Sequence, residues 1–362
     1  MQRLMYGIKN TTSALKAVLT LLIVAIAMAA CHKDNNPTTT TSTNFIQVSL
    51  VSNNSAFGAA RVDPSLINGW GIAFSPGGTL WISSNGGGVS VVYDSMGHQV
   101  LPAVTIPTVA AATGGHPTGQ VFNSSTGFRI PGGNAARFIF VGDDGIISGW
   151  NSGAAAVTIL DRSATSSYTG VTIANDGSAN FLYAANFKTA KIDVFDTTFT
   201  EVSKPFADPN LPEGYSPFNI QNIGGKLYVM YAKVGTSGDE EHGAGLGFVD
   251  IYNPDGSLVN RLVSQGELNA PWGVAMAPSG FLDGNNSNVI LIGNFGDGVI
   301  NAYSTDGGFL GKLKSNGNTI VIDGLWAISF APSTATTIPI TRLYFAAGPN
   351  AEGDGLFGYI DK

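Results

Sequence analysis

The residues that could carry chemistry in this 362-residue sequence are acids, amides and tryptophans at recurring positions. The run Asp239, Glu240, Glu241 and His242 offers oxygen and imidazole ligands, which suit a divalent cation. Contiguous acids rarely converge on one ion without a supporting turn, so a solvated acidic loop is the simpler interpretation. The loop is kept as the candidate site for a divalent cation, and no other cofactor is predicted.

Sequence signatures of common enzymes are either absent or lack the structural context that they require. Gly353, Gly355 and Gly358 match the G-x-G-x-x-G pattern, but no helix follows them to bind a pyrophosphate. The sequence has no G-x-S-x-G, no H-E-x-x-H and no phosphate-binding loop, and its four histidines are scattered. Nothing indicates a nucleophile paired with a base, so a role without catalysis is favoured and no catalytic residue is predicted.

Aromatic and threonine residues mark a repeat of about 50 residues. Each marker follows a turn and precedes a strand-like run, and two further β-branched or aromatic runs come after it, such as TLWISSN and VSVVYD. A fourth run often precedes the next marker. The markers are Trp70, Thr118, Thr169, Phe218, Trp272 and Trp326. Four antiparallel strands in each of six periods predict an all-β fold, a six-bladed β-propeller.

The sixth unit stops after its third strand, at Asp361. The missing strand is found at the other end of the domain, as FIQVSLVSN (45–53). We expect this strand to complete the last blade and close the ring, because closure leaves no gap between first and last blades. The predicted domain therefore covers residues 45–362 as one monomeric propeller.

Composition agrees with many short strands joined by tight turns. The chain has 47 Gly and 17 Pro, only 12% charged residues and a net charge of −7. These values exclude a coiled coil or a helical bundle. The acidic balance argues against nucleic acid as a partner.

The first 30 residues have the pattern of a signal peptide. Basic residues precede an apolar run of Ala17 to Ala30, which is short for a membrane span. The run ends at Cys31, the only cysteine, in a context that resembles a bacterial lipobox with Met28 in place of the usual Leu. This resemblance implies lipidation of Cys31, a membrane anchor and a Thr-rich tether over residues 31–44. Because His32 rather than Asp follows, it also implies the outer membrane of a bacterial cell envelope, on the periplasmic or the surface face.

Several long phrases resemble a bacterial family of secreted propellers of uncharacterised function, related to NHL-repeat proteins. Among them are VDPSLINGWGIAFSP (62–76), FIFVGDDGIISGWN (138–151) and LYFAAGPNAEGDGLFG (343–358). The resemblance covers residues 45–361. It implies the propeller fold and a place outside the cytoplasm, and it brings no catalytic residues.

A ligand site is predicted on one face of the ring. In a propeller, the loops before the first strands and those between the second and third strands share a face, which here would be an acidic mouth lined by aromatic residues. Packing between blades would also explain the tryptophans, and capping of backbone groups would explain the asparagines. The candidate residues are Trp70, Trp272, Trp326, His116, Asn85, Asn186, Asn294 and Asp323.

Three functions are compatible with this site. The favoured one is an envelope-anchored binding or scaffold module for a glycan, a peptide or a small ligand. The second is a metal-dependent hydrolase or lactonase that resembles gluconolactonase-type propellers. The markers replace the acids and amides which that resemblance requires, and Asn68, Asn219 and Asp323 lie close by but out of register. The third is a structural platform for the assembly of envelope proteins.

Overall fold

The regular secondary structure of the described residues is almost entirely β-strand. The computed structural model describes residues 44–282 and 288–362. The predictions for the signal peptide, the lipidation of Cys31 and the tether lie outside the described residues. The one helical element within these two ranges is a short 3-10 turn, Ser55–Phe57, and none of their helices is long and apolar enough to cross a membrane.

Two strands lead the chain into the domain, β1 (Ile46–Ser52) and β2 (Arg61–Val62). Three antiparallel sheets follow, and in each of them four consecutive strands pair in chain order. Their strands are β3 (Gly69–Phe74), β4 (Leu80–Ser84), β5 (Val89–Tyr93) and β6 (Gln99–Thr105) in blade 1; β7 (Pro117–Phe122), β8 (Phe138–Gly142), β9 (Ile146–Trp150) and β10 (Val157–Asp161) in blade 2; β11 (Tyr168–Asn175), β12 (Asn180–Asn186), β13 (Lys191–Phe195) and β14 (Glu201–Val202) in blade 3.

Blades 4 and 5 repeat this order, and blade 6 is built from both ends of the domain. Short additions accompany them. The strands are β15 (Tyr215–Ile223), β16 (Lys226–Val234), β17 (Glu240–Glu241), β18 (Gly247–Tyr252) and β19 (Leu258–Ser264) in blade 4; β20 (Pro271–Ala277), β21 (Val289–Asn294), β22 (Ile300–Ser304) and β23 (Phe309–Lys312) in blade 5; the separate hairpin β24 (Lys314–Ser315) and β25 (Asn318–Thr319); and β26 (Leu325–Phe330), β27 (Leu343–Ala347) and β28 (Leu356–Asp361) in blade 6.

The closing strand confirms the predicted six-bladed propeller. Strand β1 pairs antiparallel with β28, from Ile46 opposite Asp361 to Ser52 opposite Leu356. The order β1-β28-β27-β26 completes blade 6, and the innermost strands β3, β7, β11, β15, β20 and β26 contact one another around a closed ring. The ring is therefore closed by pairing between the two ends of the domain.

Three details depart from a plain four-stranded repeat. Strand β2 pairs parallel with β1 as a fifth strand of blade 6, β17 adds to β16 in blade 4, and β24 pairs only with β25. The sequence repeat did not predict these pairings because each falls in a segment that occurs in one blade only.

Every innermost strand carries an irregularity at its marker residue. The pairing register shifts at Trp70, Thr118, Thr169, Phe218, Trp272 and Trp326. A β-bulge bends its strand and redirects the side chain of the extra residue. The repeated marker is therefore a repeated bulge at the start of each innermost strand.

Candidate functional site

Six aromatic side chains pack together at one end of the channel and form what we call the aromatic plug. Trp326 stacks between Trp70 and Phe295, with ring centroids 3.6 and 3.7 Å apart and interplanar angles of 16° and 17°. The other members are Phe187, Phe218 and Trp272, which belong to the same buried cluster. Only 6% of Trp70, 4% of Trp272 and 1% of Trp326 is exposed, so these rings are not available to a ligand on the surface.

Hydrogen bonds hold two of the indoles in place. Trp326 Nε1 donates to Asn68 Oδ1 at 2.9 Å, and Trp272 Nε1 donates to the carbonyl oxygen of Thr169 at 3.0 Å. The small side chains Thr118 and Thr169 occupy the remaining marker positions. The buried Trp70 Nε1 and Thr169 Oγ1 have no hydrogen-bond partner among the described residues. One unsatisfied polar group, Trp70 Nε1, therefore lies within the plug, and a second, Thr169 Oγ1, lies at a marker position outside it.

Four of the six markers are followed by a glycine, which lets the innermost strands approach one another beside the plug, and we call Gly71, Gly119, Gly170 and Gly273 the marker glycines. A Cβ atom on Gly71 would lie 2.6 Å from the carbonyl oxygen of Thr118, and one on Gly119 would lie 2.7 Å from the amide nitrogen of Val171. Both obstacles are backbone atoms of the next blade, which cannot move aside cheaply. Glycine after the marker is thus a packing requirement at these blades.

Acidic loops surround the outer side of the plug, on what we call the acidic face. Asn68 Nδ2 donates to Glu352 Oε2 at 2.6 Å. Burial, and then the nearby Glu240 carboxylate, raises the pKa of Glu352, and Asp143 and Asp239 act in the same direction. Loops from blades 2, 4 and 6 are therefore close enough here for their charges to interact.

The candidate asparagines satisfy local polar groups of the protein. Asn85 Nδ2 donates to Asp143 Oδ2 at 3.0 Å and so links blades 1 and 2. Asn186 donates to Asp193 at 2.9 Å, and Asn294 donates to the carbonyl oxygen of Glu267 at 2.8 Å. All three asparagines are buried. Their structural role is to cap loops and strands at this face.

His116 and Asp323 are both exposed. Burial raises the pKa of Asp143, while its hydrogen bond from Asn85 and the charge of His116 oppose that rise. Asp323 Oδ2 accepts a hydrogen bond from the amide nitrogen of Asn350 at 2.9 Å. The structure therefore places His116 beside the acidic loops and gives Asp323 a role in a turn.

The candidate cation loop does not bring its side chains together. Asp239 and Glu241 are exposed and Glu240 is half-buried, with its Oε1 at 3.5 Å from Nε2 of His242. This interaction with Glu240 raises the pKa of His242, whose ring packs edge-on against Phe295. Within residues 44–282 and 288–362, no group of three or more His, Cys, Asp or Glu residues could hold a metal ion.

A cavity of about 760 Å³ occupies the opposite end of the channel. The innermost strands of all six blades form its walls, and Trp272 is the plug residue that reaches its floor. No residue of the acidic loops lines it, so the plug closes that end. Its outer rim consists of exposed residues on the loops between first and second strands or beside them: Pro76, Ser124, Gly224, Met276, Pro332 and Thr334. We call this open end the mouth face.

Among the described residues, none that lines the cavity is charged. Three of its four amide side chains are already engaged with backbone carbonyl oxygens: Gln120 with Gly71, Asn219 with Trp272 and Asn222 with Ile173. The fourth, Gln221, is half-buried, and its side chain makes no hydrogen bond within the described part of the chain. Gln221 therefore offers an amide group that is free to bind a ligand in the cavity.

Sequence reasoning missed four residues that define the channel. Phe187 and Phe295 complete the plug, and a signal for them existed, because both follow an asparagine after a second strand in LYAANF and LIGNF. Gln221 and Met276 line the cavity but stand at ordinary strand positions. No pattern in the sequence distinguishes them from other strand residues.

The chain has close relatives in a giant virus. It is 35% identical over 334 residues to "Uncharacterized protein L690" of Acanthamoeba polyphaga mimivirus, covering 86% of this chain and 84% of that protein. It is 33% identical over 323 residues to "Uncharacterized protein R648" of the same virus, covering 84% and 77%. No family model matches the chain.

Solved structures share the fold at low sequence identity. A protein of unknown function from Bacteroides thetaiotaomicron superposes with a TM-score of 0.56 at 11% identity, covering 88% of this chain and 76% of that one. Virginiamycin B lyase from Staphylococcus aureus superposes with a TM-score of 0.52 at 12% identity, covering 88% and 99%. At this level of identity the likeness shows the propeller fold alone.

These relatives correct two sequence predictions. The assignment to a bacterial family of secreted propellers is wrong, because the homologues that show the family are mimivirus proteins. The predicted location in a bacterial outer membrane is wrong for the same reason. The chain belongs to the family of mimivirus proteins that includes L690 and R648.

Proposed function

We propose that the protein is a binding module whose ligand occupies the central cavity and enters through the mouth face. The observation that carries this proposal is the cavity itself, about 760 Å³ in volume and enclosed by all six blades. Ligand sites in proteins are concave, mostly apolar and of this size. A ligand on the channel axis would also contact all six blades, because every blade contributes its innermost strand to the central channel.

The aromatic plug closes the channel at the acidic face, which supports entry of the ligand through the mouth face. Ligand stacking on Trp70, Trp272 or Trp326 would require these rings to be exposed, and they are buried in the plug. A ligand that entered from that side would have to displace an aromatic cluster stacked at van der Waals distance, which costs several kcal/mol. Among the described residues, no comparable stack of aromatic rings closes the mouth face.

The lining favours a neutral ligand. A charge taken into the cavity would lose its hydration without meeting an opposite charge on the described walls, where no Asp, Glu, Lys, Arg or His is found. For the same reason the cavity offers no carboxylate or imidazole ligands to a metal ion, and no observation favours the hydrolase hypothesis there. Apolar walls with the free amide of Gln221 suit an uncharged molecule that carries one or more hydrogen-bonding groups.

A neutral dye tests the proposal directly. Fluorescence of N-phenyl-1-naphthylamine rises when the dye leaves water, and titration of the protein should give a saturable rise. The variant Ser124→Trp/Thr334→Trp places two large side chains at exposed rim positions, where folding should be unaffected. We expect it to weaken binding at least about tenfold, a loss of about 1.4 kcal/mol.

Thr189→Trp is the matched control, because Thr189 is exposed on a loop between second and third strands. It should bind the dye like the unmodified protein. Equal binding by the control and the double variant, or no saturable binding at all, would contradict the proposal.

A further inference from the structure

The walls of the cavity are unpaired strand edges. In all six blades the innermost strand stands at the end of its sheet and pairs only on its outer side, with the second strand. Residues 71–74, 119–122, 171–173, 219, 221–223, 272, 274–276 and 327–330 of these strands line the cavity. The inner edge of each strand therefore directs backbone donors and acceptors toward the channel, and none of the described strands pairs with it.

Side chains of neighbouring blades already bind some of these edges. Gln120 Nε2 donates to the carbonyl oxygen of Gly71 at 2.9 Å, and Asn222 Nδ2 donates to that of Ile173 at 2.9 Å. Both are primary amides that copy the donor of a peptide group. The edges are thus geometrically able to bind amide groups that approach from the channel.

Beyond the marker bulge the innermost strands are regular. Pairing continues without a further shift from Ile72 to Phe74 in blade 1 and from Gly273 to Ala277 in blade 5. A regular strand edge repeats its hydrogen-bonding groups at about 3.3 Å per residue. From Gly71 at the floor to Pro76 at the rim, the wall is about 16 Å long, which matches an extended segment of about five residues.

The residues that line the cavity favour a peptide over other classes of ligand. An acyl chain would leave the strand edges without partners and would gain nothing from Gln221. A charged peptide would place its charge against uncharged walls. A peptide with small or apolar side chains matches both the backbone edges and the exposed apolar Met276 at the mouth, in the manner of strand addition.

We propose that the ligand of the cavity is an extended, uncharged peptide segment of about five residues, inserted through the mouth face and bound by the unpaired inner edges of the propeller strands. This proposal rests on the proposed function, since it names the ligand of the same cavity. The plug makes the cavity blind, so the segment is the end of a chain, and its terminal charge is blocked because the described walls are uncharged.

Selection from a random library tests the peptide chemistry. Random seven-residue segments with a blocked N-terminus and a Gly-Ser linker on the C-terminal side only are displayed and selected on the full chain, with counter-selection on Ser124→Trp/Thr334→Trp. We expect enriched segments to lack charged residues and to be rich in β-branched and small residues. Synthetic copies with blocked ends should displace N-phenyl-1-naphthylamine at micromolar concentrations.

Backbone N-methylation then separates strand pairing from simple apolar contact. Methylation of alternate amides removes donors while it keeps the side chains, and it should weaken binding by about tenfold or more. Dye binding without any enriched segment, enrichment of charged segments, or no effect of methylation would overturn the peptide proposal and leave the proposed function standing. Loss of both dye and peptide binding would overturn both.

Discussion

Trp326 is the residue on which the aromatic plug depends most. It is 1% exposed, stacks on two rings and donates a hydrogen bond to Asn68. Trp326→Ala removes these contacts and opens a void in a closely packed cluster. We expect a loss of about 3–5 kcal/mol in the free energy of unfolding, measured by urea denaturation.

Trp326→Phe is the informative comparison for this position. It keeps an aromatic ring but loses the donor to Asn68, so its cost should be smaller, at about 1–2 kcal/mol. If both variants unfold at the urea concentration of the unmodified protein, the plug does not contribute to stability as described.

Glu352 should make stability depend on pH. Burial and neighbouring acids raise its pKa in the folded protein above the ordinary value of 4.5. Its ionised form is therefore disfavoured on folding, and its contribution to stability falls as pH rises through 4.5 until the folded pKa is passed. Glu352→Gln keeps an acceptor for Asn68 and removes that fall, so the variant should gain stability relative to the unmodified protein between pH 4 and pH 7.

The measurement for Glu352 is the free energy of unfolding at several pH values across that window. Glu213→Gln is the control, since Glu213 is an exposed acid with no side-chain hydrogen bond in the described ranges. A difference that stays flat with pH, or that matches the control, would refute the effect assigned to Glu352.

The sequence predicted which residues occupy the marker positions, but it did not predict where their side chains point. The repeat identified Trp70, Trp272 and Trp326 as equivalent, and it allowed either an exposed mouth or packing between blades. The structure shows the rings packed together because a bulge at each marker reorients its side chain. A bulge depends on pairing with the second strand, which the marker itself does not encode.

The marker glycines determine how closely neighbouring blades can pack. A Cβ on Gly119 would lie 2.7 Å from the amide nitrogen of Val171 and 3.0 Å from Cα of Gly170. Gly119→Ala should therefore destabilise the protein by about 1–3 kcal/mol through backbone displacement, measured as a shift in the urea midpoint.

Gly77→Ala is the matched control for that effect. The nearest atom to a Cβ there is Ser75 Oγ at 3.9 Å, an ordinary contact. We expect its stability to change by less than about 0.5 kcal/mol. Equal effects of the two substitutions would show that crowding between blades is not the cause.

Strand β1 should be required for folding of the whole ring. It supplies the outer strand of blade 6 through pairs from Ile46 to Ser52, and Val51 is fully buried. A chain that begins at residue 54 loses this closure, whereas a chain that begins at residue 44 keeps it. The shorter chain should melt at least about 10 °C lower or fail to fold, as measured by circular dichroism. Equal melting temperatures would contradict the role of β1.

The regular elements were predictable because the repeat supplies six copies of the same evidence. The displaced strand at 45–53 was predictable for a related reason, since the sixth unit lacks its fourth run. Strand β2 and the β24–β25 hairpin were not predictable, because each depends on pairing that occurs once. Local sequence of two residues carries too little preference to specify a strand.

At the scale of the whole molecule, the two ends of the channel differ in chemistry. One end is packed with six aromatic rings and surrounded by acids, and the other is an uncharged cavity. Which end is open depends on the summed volume of side chains from several blades. Phe187 and Phe295 contribute to that volume from loops, so the packing of the aromatic plug could not be predicted from the marker residues alone.

A crystal structure with a brominated analogue of N-phenyl-1-naphthylamine would show where a neutral ligand binds. Anomalous scattering from bromine locates the ligand without prior assumptions about its site. We expect a peak inside the channel, between Trp272 at the floor and Met276 at the mouth, beside Gln221. A peak only among the acidic loops, or only on the outer surface of the blades, would contradict the proposed function.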